Sequence, residues 1–109
     1  MILAHFYESG EDTLRLTVSG HAGYGDGGAD IVCAAVSGIF YALAGYLANS
    51  EFKANIRAAR SGFADIECSR GGEEAMKQAC IGLLQIQLSY PGTVNVSNSL
   101  WSWKLGKPG

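Results

Sequence analysis

Apolar residues recur along this chain in two rhythms. Leu14, Leu16 and Val18 alternate with Arg15, Thr17 and Ser19, which is the period of a strand with one buried face. Ile2 to Tyr7 is rich in strand formers, and Ser9-Gly10-Glu11-Asp12 is turn chemistry. The two segments predict an antiparallel hairpin. The spacing then lengthens. From Ile31 to about Asn49 the apolar residues (Ile31, Val32, Ala35, Val36, Ile39, Phe40, Leu43, Tyr46, Leu47) cover most of a helix circumference, and Asp30 suits its N-cap. Such a helix needs cover on several sides, from the sheet and beyond it from a second subunit.

The two rhythms then repeat. Phe52 to Ala59 and Phe63 to Cys68 predict a second hairpin around Arg60-Ser61-Gly62. Gly71-Gly72 opens a helix from about Glu73 to Tyr90, with Ala75, Met76, Ala79, Cys80, Leu83, Leu84 and Ile86 on one face. Glu73 and Glu74 sit at the end where the helix dipole favours negative charge, and Pro91-Gly92 stops the helix. Thr93 to Ser97 predicts a short strand. Leu100-Trp101-Ser102-Trp103 extends it or packs back, as a packing cluster or a subunit contact, and Lys104 to Gly109 is expected to fray. The order is β-β-α-β-β-α-β. It predicts an α+β fold, a single domain over residues 1–109, with a mostly antiparallel sheet packed with two helices.

Composition narrows the function classes. With 109 residues, the chain suits one domain with its own core. Hydrophobic residues make up 48% and charged residues 17%, which argues against disorder. Eight basic and ten acidic residues give a net charge of −2, and no basic block appears, so bulk electrostatic binding of nucleic acid is disfavoured. Cys33, Cys68 and Cys80 are odd in number and form no CxxC pair, which suggests free thiols in a reducing cytoplasm. The amino terminus does not read as a signal peptide. Ile31 to Ala48 reads as a buried helix of a soluble protein rather than a membrane span.

One segment carries the candidate chemistry. Gly20-His21-Ala22 ends a strand, and Asp30-Ile31-Val32-Cys33 begins a helix. Cys33 falls at the third helical position, where the dipole and open backbone amides favour a thiolate and can steady an oxyanion. His21 is placed to act as its base. Asp30 caps the helix, worth about 1 kcal/mol, or orients His21 as the third group of a triad. Ser37, one turn beyond Cys33, shares its helix face. Between the two ends lie Gly23, Tyr24, Gly25, Asp26, Gly27, Gly28 and Ala29, a glycine-rich loop suited to closing over a peptide.

Other readings of the same residues are weaker. Gly23-x-Gly25-x-x-Gly28 matches a dinucleotide fingerprint in form, but Asp26 and Asp30 would face the pyrophosphate and the strand before it alternates. No cysteine–histidine spacing fits a zinc site, so neither metal nor cofactor is expected. His5 reads as structural, and Cys68 and Cys80 as core residues.

Gly20-His21-Ala22, the glycine-rich loop, Asp30 to Ser37 and the later Ser89-Tyr90-Pro91 resemble the ribosomal-processing cysteine protease family, Prp or YsxB-like. The resemblance covers nearly the whole chain in length and element order. It implies a cytoplasmic, homodimeric cysteine protease. Its members remove a short amino-terminal extension from large-subunit ribosomal protein number twenty-seven, after a phenylalanine pair and before a small residue, in support of ribosome assembly. It places the family's histidine on His21, its nucleophile on Cys33, its aspartate on Asp30, its serine on Ser37, its glycine on Gly20 and its moving loop on Gly23 to Ala29. The stretch after Val96 matches no motif of the family and leaves room for a related protease with another substrate, such as a phage one. A non-catalytic ribosome-assembly or peptide-binding module on the same fold is the alternative class, and a thiol redox sensor ranks last.

Overall fold

In a computed structural model, which describes residues 1–22 and 30–105, the two rhythms become a two-layer domain. The strands are β1 (Ile2–Gly10), β2 (Thr13–Ser19), β3 (Ala54–Arg60), β4 (Phe63–Ser69) and β5 (Val94–Asn98). The helices are α1 (Ile31–Ala48) and α2 (Glu73–Ser89), the latter entered through a short 3-10 turn at Arg70–Gly72. Five strands form one sheet in the order β3-β4-β2-β1-β5. All neighbours are antiparallel except β1 and β5, which run parallel. The α+β expectation holds, and each element lies within about two residues of its expected bounds, apart from β1. That strand continues through Gly10 with a register shift after Glu8, which narrows its turn to Glu11-Asp12.

Register explains the core. Phe6, Leu16 and Ile66 stand opposite one another across three strands, as do Ala4, Val18 and Ala64. A period of two puts these residues on one face. Onto that face α1 lays Val32, Val36, Phe40, Leu43 and Leu47, and α2 lays Met76, Ala79, Cys80 and Leu83. On the open face of the sheet, Arg15 donates to both oxygens of the buried Asp65 at 2.9 and 2.6 Å, which compensates that carboxylate's loss of water. His5 stacks on Tyr7 on the same face, away from the helices.

Two regions add to the sequence reading. β3, at the outer edge of the sheet, is exposed along nearly its whole length, Ile56 included. The carboxy-terminal residues fold back rather than extend β5. Asn98 Oδ1 accepts from the amides of Leu100 and Trp101, and its Nδ2 donates to the Trp101 carbonyl. The turn so made seats Trp101 edge-on against Phe6 and sends its Nε1 to Glu73 at 3.0 Å. Trp103 lies beside Trp101 and faces the Cys80 thiol. The tryptophans are a packing cluster, as one of the two readings held.

α1 is long and apolar enough, by length and composition, to cross a membrane, with a third of it buried here. Its inner side is core; its outer side leaves Ile31, Tyr41 and Tyr46 exposed and carries no charged residue.

Candidate active site

β2 ends at Ser19, and Gly20 turns the chain at φ +90°. A Cβ on Gly20 would stand 2.4 Å from the Met1 carbonyl oxygen, so only glycine lets the end of β2 close against the start of β1. This tight exit delivers His21 to the end of the sheet. α1 begins across from it. Asp30 Oδ1 accepts from the amides of Val32 at 3.0 Å and Cys33 at 3.1 Å, so the expected cap is formed. The same cap engages the amides of Val32 and Cys33, two of the amides at the start of the helix that the sequence offers for steadying an oxyanion. The amide that reaches the sulfur comes from the other side: Ala22 N–H donates to Cys33 Sγ at 3.3 Å.

Gly20, His21, Cys33 and Ser37 line one open cleft of about 190 Å³. That is below the roughly 300–1,000 Å³ of sites that hold a drug-sized ligand, and suits a single side chain beside a thiol. Val36 and Phe40 of α1 form one apolar wall, and Phe63 forms part of the other. Asp30 acts from the helix end through the backbone of Cys33. Gly23 to Ala29 lie outside the described residues, so the loop expectation stands untested there.

The second wall of the cleft was not anticipated. It is the β3–β4 turn, with Arg60, Ser61, Gly62 and Phe63. The Arg60 guanidinium lies 5.0 Å over the Phe63 ring. The segment reads in sequence as a turn and nothing more. What brings it to His21 is the pairing of Ser19 with Phe63, a register between two hairpins that no local pattern encodes.

The profile of the family described as Cysteine protease Prp matches residues 1–95. The chain belongs to the cysteine protease Prp family. Solved Prp structures share its fold. The ribosomal processing protease Prp from S. aureus with a covalently linked product peptide superposes with a TM-score of 0.79 at 19% identity, over 91% of this chain and all of that one. The same enzyme with a substrate peptide gives 0.72 at 20% identity, again over 91% of this chain and 100% of that one. SMU.848 from Streptococcus mutans gives 0.67 at 23% identity, over 90% of this chain and 93% of that one. No curated protein matches. The Prp match stops at residue 95, just before the Asn98 turn and the tryptophan cluster.

The three cysteines of this Prp-family chain differ in access. Burial pushes the Cys68 thiol up to about 11 and raises Cys80 as well, so both stay protonated at neutral pH. Cys33 is half-buried and opens on the cleft. Thiolates are the reacting form. Iodoacetamide at pH 7.5 is therefore expected to add one equivalent to the folded protein, on Cys33, and three after denaturation. Peptide mapping that finds Cys68 or Cys80 alkylated in the folded protein would contradict this burial.

Proposed function

We propose that this protein is a cysteine endopeptidase with Cys33 as nucleophile and His21 as base. The observation that carries the reading is a convergence. The end of β2 and the first turn of α1 place an imidazole and a thiol in one cleft, with the Ala22 amide on the sulfur. His21 takes the Sγ proton as Sγ attacks the scissile carbonyl, then returns it to the leaving amine. Water hydrolyses the resulting thioester and regenerates the thiol. Asp30 fixes the first turn and with it the nucleophile; Gly20 fixes the approach of His21; Ser37 supports the site from the next helical turn. The Gly23–Ala29 loop clamps the bound peptide.

The proposed substrate is the amino-terminal extension of large-subunit ribosomal protein number twenty-seven, cut after a phenylalanine pair and before a small residue, in support of ribosome assembly. Two features support it. The cleft walls Val36, Phe40 and Phe63 suit an aromatic side chain. The S. aureus Prp structures hold a substrate peptide and a covalently linked product peptide. We place the protein in the cytoplasm as a homodimer, acting on a peptide and not on nucleic acid or membrane. The uncharged outer side of α1, with Tyr41 and Tyr46 exposed, supports the dimer.

The test is a synthetic peptide spanning a Phe-Phe-small junction, followed by mass spectrometry. Two products split after the second phenylalanine are expected, with no cleavage when the pair is replaced by alanines. Binding without cleavage would favour the non-catalytic peptide-binding module, and neither binding nor cleavage would sink the substrate. Sedimentation should give twice the chain mass.

A further inference from the structure

α1 accounts for the thiol side of the cleft. The imidazole side is held by something the site residues do not include. Gly62, in the β3–β4 turn, has φ +81°, in the left-handed region. A Cβ built on it would stand 3.0 Å from His21 Nε2, 3.6 Å from Cε1 and 3.9 Å from Cδ2. The outer rim of the imidazole therefore lies against bare backbone. Contacts between heavy atoms are optimal at about 3.5–4.0 Å, so a Cβ here would oblige the ring to give way by a few tenths of an ångström. The Gly62 carbonyl also accepts from the Gly20 amide at 2.9 Å, which ties the turn to the residue immediately before His21. One residue thus supports His21 twice, through the space it leaves at the Nε2 edge of the ring and through the backbone it anchors.

We propose that Gly62 is a positioning residue for His21: the β3–β4 turn is the seat that holds the base at the thiol. This rests on the reading of His21 as base. It also assigns the second hairpin a role in the chemistry, besides lining the cleft. A base must stay within hydrogen-bond reach of the proton it takes, and a displacement of about 1 Å at an active site can cost on the order of 10²-fold in rate.

The experiment compares Gly62→Ala and Gly62→Asn with the parent and with His21→Ala. Alanine resists positive φ, whereas asparagine tolerates it; both place a Cβ against the ring. Three readouts are taken: kcat and KM for the cleaved peptide, the pH dependence of Cys33 alkylation, and Tm. The Gly62→Asn protein is expected to keep Tm within a few degrees and KM within about twofold, while kcat falls at least tenfold. Its alkylation profile should move toward that of His21→Ala. A merely structural role would move Tm and leave that profile alone. A folded Gly62→Asn protein with parental kcat and parental profile would overturn the proposal. An unchanged profile in His21→Ala would remove the base itself, and the proposal with it. The alkylation measurement needs no substrate, so it separates that failure from a wrong choice of peptide.

Discussion

The Cys33→Ala protein should fold as the parent does and cleave no peptide. Cys33 is half-buried, and its sulfur accepts one amide hydrogen bond. Removing it costs on the order of 1 kcal/mol of stability, whereas among the described residues no other thiol lines the cleft. His21→Ala should lose about 10²–10⁴-fold, the usual contribution of a positioned general base. The two losses should not add in the double variant, because the residues act on one proton. The measurement is kcat/KM for the same Phe-Phe peptide, with circular dichroism to establish folding. A Cys33→Ala protein that still cuts would transfer the nucleophile elsewhere. A His21→Ala protein at full rate would leave the thiol without its proposed base.

Phe6→Ala should be the most damaging core change. Phe6 is fully buried, opposite Leu16 and Ile66, and its ring meets Trp101 edge-on at 6.1 Å. Truncating such a residue costs about 3–5 kcal/mol, out of roughly 5–15 kcal/mol for a whole domain. At roughly 4–8 °C per kcal/mol for domains near this size, Tm should fall by about 12–40 °C. Leu3→Ala, on the exposed face of the same strand, should cost under about 1 kcal/mol. A Phe6→Ala protein that melts within a few degrees of the parent would mean that the Phe6–Leu16–Ile66 row is not the centre of the core.

Much of the fold is legible in the amino-acid sequence. Alternation in residues 14–19 and helical spacing in 31–48 gave element types, because burial of one face imposes those periods directly. Asp30 was legible as a cap because capping is a local hydrogen bond. His21 and Cys33 were legible as candidates because one ends a strand and the other opens a helix. What escaped the sequence is non-local. The β2–β4 register brings Gly62 to His21, and nothing within the Arg60-Ser61-Gly62 segment indicates it. The exposure of β3 depends on its place at the edge of the sheet, which the strand order decides. The fate of the Asp30 oxygens depends on geometry: Oδ1 takes both the Val32 and the Cys33 amide. The tryptophan strap turned on Asn98, whose side chain closes a turn that alternation alone would have read as more strand.

The cleft has a consequence for when this chain becomes active. It draws on Ile2, on residues 18 to 21, on residues 33 to 41 and on residues 59 to 64, and Ile2 is itself held by Val94. Its lining is gathered from four separate stretches of the first 64 residues. During synthesis the thiol and the imidazole emerge early, yet the turn that faces them comes some thirty residues after Cys33, and the strand that locks Ile2 comes near the end. A growing chain on the ribosome therefore carries its reactive groups without an assembled cleft.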